Sequence, residues 1–156
     1  MTQEDSRFED GREAPLHLKA LETEDLEVLS ALVQDAVFPG SEMRYDRSLR
    51  RFAILLNRFR WEEGPRAQQS PERVQSVLVI DDVLKVQSQG VSRDADTVLS
   101  LLALLFKPGP DGTGRIEITL AGDGALGLDV EALEVTLKDV TKPYVAPSGA
   151  APSHPD

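Results

Sequence analysis

Hydrophobic side chains recur along this chain at two different periods, and the change between them divides it. Leu26, Leu29, Leu32, Val33, Ala36 and Val37 follow one another at three- and four-residue spacings, which predicts one apolar stripe on a helix. Thr23 stands where an N-cap belongs, and Glu24, Asp25 and Glu27 fill the first turn, where the helix dipole favours negative charge. Phe38-Pro39-Gly40 ends the stripe, because proline cannot extend a helix and glycine tolerates the reversal. Ahead of it, Leu16, Leu18 and Ala20 alternate with His17 and Lys19, the mark of a short strand.

Past Gly40 the period is two. Glu42 to Tyr45 predicts a short strand and Arg51 to Trp61 a long one. Phe52, Ile54 and Leu56 share one face of that long strand; Ala53, Leu55, Asn57, Phe59 and Trp61 share the other. A polar connection, Glu62 to Glu72, leads into two β-branched runs, Val74 to Ile80 and Val83 to Ser88, with a turn or bulge at Asp81-Asp82. Val98 to Phe106 is apolar on both faces, which fits a buried strand or a buried helix alike, and its flanks favour a central strand. Ile116 to Leu120 and Leu126 to Val130 alternate on either side of Asp123-Gly124, a strong hairpin signal. From Glu131 to Val140 the parity shifts, through a bulged strand or a helical turn, and strand is the better fit.

These elements sum to an α+β fold: one N-terminal amphipathic helix packed on a curled antiparallel sheet of seven to eight strands. Its 156 residues suit a single domain. Both ends fall outside it. Residues 1–15 read as a disordered acidic segment, and residues 143–156, with four prolines, as a disordered tail, leaving 16–142 as the folded unit. Zero cysteines exclude disulfides, thiolate metal sites and cysteine nucleophiles, and two histidines exclude a histidine-rich metal centre. No apolar run reaches the roughly 18 residues of a membrane span, and the polar start lacks a signal peptide, so a cytoplasmic location is expected.

Gly122-Asp123-Gly124-Ala125-Leu126-Gly127 spells the dinucleotide fingerprint G-x-G-x-x-G. That chemistry needs a helix to open at the glycines, whereas strand alternation continues straight through them. We read it as a hairpin turn and expect no cofactor. The acidic pairs Asp81-Asp82 and Asp94-Ala95-Asp96 sit at predicted turns, where aspartate bonds its own backbone, and no metal is expected there. A serine hydrolase would need a nucleophile elbow, and none is present.

Charge is unevenly placed. Between Ser41 and Trp61 lie Arg44, Arg47, Arg50, Arg51, Arg58 and Arg60 against only Glu42 and Asp46, in a chain whose net charge is −10. Tyr45, Phe52, Phe59 and Trp61 share the window. Arginine with interleaved aromatics suits phosphates or stacked bases. The acidic remainder repels polyanions, which disfavours nucleic acid, and solvated arginines paired with nearby carboxylates are the simpler account. Asn57 falls among apolar neighbours, where a buried amide must find partners or cost about 1–3 kcal/mol. With Gln34, Asp35 and Trp61 it would line a small polar pocket, or bond a neighbouring backbone as structural glue; the second reading is the stronger.

The strings VQDAVF (33–38), RRFAILLNRFRWE (50–62), VLSLLALLF (98–106) and VEALEVTLKDV (130–140) together resemble the domain of unknown function 2948 family, uncharacterised proteins found mainly in alphaproteobacteria. The resemblance implies a small bacterial cytosolic protein and carries over no activity, cofactor or catalytic residue. The expectation is therefore a non-enzymatic binding or accessory protein that holds an unknown protein or a small anionic ligand at the Arg44–Trp61 ribbon. Its candidate binding residues are Gln34, Asp35, Asn57, Arg58, Arg60 and Trp61. Two alternatives stand beside it: an enzyme using a polar pocket between helix and sheet, and anion or nucleic-acid binding through the same ribbon. The sequence leaves a homodimer open.

Overall fold

The computed structural model describes residues 15–63 and 72–145. The acidic segment expected over 1–15 lies almost wholly outside them, as does most of the proline-rich tail. In chain order the elements are β1 (His17–Ala20), α1 (Thr23–Leu32), β2 (Val37–Pro39), β3 (Met43–Asp46), β4 (Arg51–Phe59), β5 (Glu72–Ile80), β6 (Val83–Gln89), β7 (Val98–Pro108), β8 (Gly114–Leu120), β9 (Ala125–Val130), β10 (Val135–Asp139) and β11 (Tyr144–Val145). Short 3-10 turns cover Gly40–Glu42, Trp61–Glu63 and Pro110–Gly112.

The fold is α+β, one helix on a sheet whose described pairings are all antiparallel. The strand order is β1-β10-β5-β4-β2-β7-β8-β9-β6, with β3 on β4 and β11 on β5, and the path does not close. Two expectations are corrected. The strands number eleven among the described residues rather than seven or eight, because very short β2, β3 and β11 add to the longer runs. The helix, preceded by the short strand expected there, ends at Leu32 rather than running on through Val37. Asp35 takes a left-handed φ of 65°, which aspartate tolerates, and its N–H donates to the Leu101 carbonyl at 2.8 Å. Ala36 to Pro39 is thereby drawn between β7 and β4, so Ala36 and Val37 belong to sheet pairing, not to the helical stripe. The N-cap is Glu22, one residue before the expected Thr23.

Two long strands bend together through the middle of the molecule. β5 and β6 run almost continuously from Glu72 to Gln89, and β9 and β10 run antiparallel beside them, Ser76 opposite Asp139 at one end and Gln89 opposite Ala125 at the other. Both bend at matching points. Asp82 has φ 58°, its carbonyl accepts from Glu131 N–H at 2.9 Å, and Asp81 N–H donates to Glu134 at 3.0 Å. Tyr45 ties the corner with a 2.8 Å hydrogen bond from its hydroxyl to the Val83 carbonyl. The irregular stretch Glu131–Glu134 resets side-chain parity, so β9 buries Leu126, Leu128 and Val130 while β10 buries Val135 and Leu137. Leu26 and Leu29 of α1, with Val33, close the core between these halves.

The string Gly122–Gly127 spans the β8–β9 turn and the first three residues of β9, with Gly122 and Asp123 at positive φ and Leu120 N–H bonded to the Gly124 carbonyl at 2.9 Å. Val98–Phe106 lies in the central strand β7, which joins β2 to β8. Tyr144 and Val145 pair with Arg73 and Glu72, within the segment assigned to the tail. Among the described residues no helix is long and apolar enough to cross a membrane.

Candidate functional site

Parity decides the fate of the arginine ribbon. Phe52, Ile54 and Leu56 are buried, and Arg58 is the next residue of that same face. Its side chain is fully buried, and Arg60 is nearly so (3% exposed), which corrects the expectation that these two arginines stand in solvent. Their burial is affordable only because carboxylates go in with them.

Arg58 sits at the centre of a saturated network. Its Nη1 and Nη2 donate to the two oxygens of Glu62, both at 2.8 Å. Nη2 also reaches Asp139 at 3.0 Å, and Nε bonds Ser76 Oγ at 3.0 Å. The Phe59 carbonyl accepts from Nη1 at 3.4 Å. All the guanidinium donors of Arg58 therefore have acceptors within the protein. Asp139, whose side chain is 2% exposed, accepts in addition from Ser76 Oγ at 2.6 Å and from Leu16 N–H at 2.9 Å. The cluster joins the chain before β1 to β4, β5 and β10. Burial alone would lower the Arg58 pKa, but the hydrogen bonds and charges of Glu62 and then Asp139 outweigh it and raise the value. Burial likewise pushes Glu62 up, and the bidentate Arg58 pair more than reverses this, holding it below its ordinary value. Glu62 is thus a carboxylate committed to structure, the opposite of a general acid tuned towards neutrality.

The remaining predicted residues gather around the end of β4 and divide into two groups. Trp61 donates its indole N–H to the Gln34 carbonyl at 2.9 Å, edge-on to Phe59 with ring centroids 4.7 Å apart, so Trp61 and Gln34 meet. Asp35 adjoins them through the chain, its backbone turned towards β7. Asn57 turns away: its amide donates to the Tyr144 hydroxyl and accepts from Arg73 Nη1 at 3.2 Å. Neither of the two hollows described below is lined by Gln34, Asp35, Asn57 or Trp61. Arg60 pairs with Glu72 at 3.0 Å, Arg50 with Glu131 at 2.7 Å and Arg51 with Asp81 at 2.8 Å; Arg44 and Arg47 are exposed. Among the described residues no three histidine or carboxylate side chains converge to hold a metal ion.

A different surface has an open geometry. Across β7, β8, β9 and β6 the outward residues align in rows: Lys107, Arg115, Asp129 and Lys85 in one, Leu105, Glu117, Gly127 and Gln87 in the next, Ala103, Thr119, Ala125 and Gln89 in a third. Small residues at Ala125 and Gly127 leave a hollow of about 430 Å³ floored by β9, with Gln87 and Gln89 on one side and Glu117 and Thr119 on the other. Arg115 lies flat over Gly127, where an added Cβ would stand 2.0 Å from its Nη2. Asp129 holds that guanidinium at 2.9 Å, and Arg115 is one of the residues lining the hollow. A second hollow of about 490 Å³, between Leu21 and Phe106 beside the start of α1, is mainly apolar. Sequence reasoning passed over the first surface, although the polar alternation of Gln87 and Gln89, and of Arg115, Glu117 and Thr119, announces a solvated sheet face. The last glycine of the false dinucleotide fingerprint marks its floor.

The family model described as "Protein of unknown function (DUF2948)" matches residues 16–154, nearly the whole chain, and the protein belongs to that family. No curated protein and no solved structure matches it.

Proposed function

For this member of a family defined without an activity, we propose a non-enzymatic binding protein of the cytoplasm whose ligand-facing surface is the hollow over β9 rather than the arginine ribbon. One contrast supports the reading. Arg58 has every donor engaged by its own chain, whereas Arg115, among the described residues, bonds only Asp129 and lines the hollow together with Gln87 and Gln89. A planar guanidinium with spare N–H groups recognises carboxylate or carbonyl oxygen. The surrounding amides and hydroxyl supply donors and acceptors to a polar ligand, and the volume lies in the range of small-ligand sites. The small anionic ligand or protein partner expected from the sequence is accordingly assigned to this face.

The test is a titration of the isotope-labelled protein with N-acetylglutamate, followed by amide shifts. Saturable shifts at Gln87, Gln89, Arg115 and Gly127, weakened at least tenfold in Gly127→Ala, are expected. That variant displaces the guanidinium while leaving the backbone in place, because the colliding atoms end a flexible side chain. Shifts confined to Arg44–Trp61, or none, would return the binding role to another surface.

A further inference from the structure

Among the described residues β6 ends the hydrogen-bonded order, and its one strand partner there is β9. Leu84, Lys85, Gln87, Ser88 and Gln89 are all exposed. At Val83 the N–H donates to the Arg50 carbonyl and the C=O accepts from the Tyr45 hydroxyl, so the edge left open among the described residues runs from Lys85 to Gln89. From Lys85 to Gln89 it carries no proline and no bulge, and Lys85 is its one charge, so the usual defences of an edge strand are thin there. Building on the binding role assigned to the adjoining hollow, we infer that this edge takes an extended peptide as an added antiparallel or parallel strand, with an acidic residue beside Lys85.

The row pattern selects that residue. Reading from β8 outwards, Arg115, Asp129 and Lys85 alternate plus, minus, plus, with Arg115 and Asp129 already paired at 2.9 Å. The next position in the row belongs to the added strand, about 4.8 Å beyond β6, and a carboxylate there continues the alternation. Two residues along the peptide, the side chain on the same face lies beside Gln87 and leans over the hollow floored by Gly127. Main-chain bonds then supply affinity, and the alternate side chains supply selectivity. A second copy of the chain fits less well. Two-fold antiparallel pairing about Gln87 sets Lys85 against Gln89 of the other copy, with no opposite charge, between two molecules of net charge −10.

The experiment uses the full chain and three probes: N-acetylglutamate, an acetylated and amidated seven-residue threonine–valine peptide with one central glutamate, and the same peptide N-methylated at alternate residues. The glutamate peptide is expected to bind at least tenfold more tightly than N-acetylglutamate and to slow hydrogen exchange of the β6 amides that do not face β9. N-methylation should remove that gain. Lys85→Glu should weaken the glutamate peptide tenfold or more and favour a lysine-bearing counterpart. If N-acetylglutamate binds the hollow but the peptide gains nothing over it, or N-methylation has no effect, the strand-addition inference is overturned while the hollow keeps its role. If the peptide binds at β6 and N-acetylglutamate does not, the small-ligand reading fails and the edge stands. A concentration-dependent dimer that protects the same amides and excludes the peptide would assign the edge to a second copy and refute the inference.

Discussion

Deleting the carboxylate of Asp139 probes the physical centre of this fold. Asp139→Ala removes an acceptor from Ser76 Oγ, from Leu16 N–H and from Arg58 in one step, at a side chain only 2% exposed. Breaking a buried ion pair by removing one partner costs about 3–5 kcal/mol, because the other charge stays behind. Glu62 keeps its bidentate hold on Arg58, which places that part near the lower limit, about 3 kcal/mol. The abandoned Leu16 and Ser76 donors add about 1 kcal/mol or more between them. The expected loss is therefore about 4 kcal/mol, a large share of the roughly 5–15 kcal/mol that stabilises a domain of this kind.

Arg58→Met carries a similar cost from the opposite direction, since it leaves two carboxylates facing each other across the vacated site. The double variant Arg58→Met with Asp139→Ala should lose less than the two single losses together, by about 1.5 kcal/mol or more, because neither charge is then left buried without the other. Urea unfolding at equilibrium reads all three, provided the slope of stability against urea stays constant. An Asp139→Ala protein within about 1 kcal/mol of the parent, or single losses that add to within about 0.5 kcal/mol, would falsify the account of Arg58 as a charge held by its partners.

Two further outcomes rest on the same physical chemistry. The folded-state pKa of Glu62 is depressed, so its contribution is complete above the ordinary glutamate value of 4.5 and disappears as the pH falls through the lower folded value; stability should decline on acidification below about pH 5, and Glu62→Gln should flatten that limb of a denaturation profile. Gly40→Ala and Gly127→Ala each place a new Cβ 2.0 Å from another atom, yet only the first should matter for stability: it meets the Ser92 backbone carbonyl and should cost about 1–3 kcal/mol, whereas Gly127→Ala meets the end of Arg115 and should stay within about 0.5 kcal/mol in thermal melts.

How much of this was legible in the sequence depended on how local the cause was. The hairpin at Asp123-Gly124, the corner at Asp81-Asp82 and the period-two runs of β4, β5 and β8 follow from neighbouring residues, and each lies where the pattern placed it. The helix end did not. Ala36 and Val37 satisfy a helical stripe and a strand equally, and what decides between them is pairing with Leu101 and Asn57, far along the chain. The parity of β4 already set Arg58 on the face of Ile54 and Leu56, yet an arginine on that face reads as an error until Asp139, 81 residues away, is seen to accept it. The hollow was obscured for the reverse reason: its residues form an ordinary polar alternation, and only the register of three strands shows that Gly127 lies between Gln87 and Glu117.

The bent pair of long strands connects these two features and keeps them apart. Ser76 and Asp139, at one end of the pair, belong to the buried network; Gln87 and Gln89, with Ala125 and Gly127, form the open end. The bend at Asp82 and Glu131 separates them, with its own backbone hydrogen bond and the Tyr45 hydroxyl tying it. A network that anchors one end gives the other a fixed sheet on which side chains are already in place, and such pre-organisation lowers the entropy cost of binding. It also divides the consequences of mutation. Changes at Arg58 or Asp139 should act on the folded population and reach the hollow only through it, whereas, under the binding role proposed for the hollow, changes at Gly127 or Lys85 should act on recognition with the fold intact. Sites with no shared partners are expected to add independently. A buried arginine whose donors are all taken and a surface arginine with donors to spare are thus two uses of one side chain, distinguished by how many acceptors the chain itself supplies.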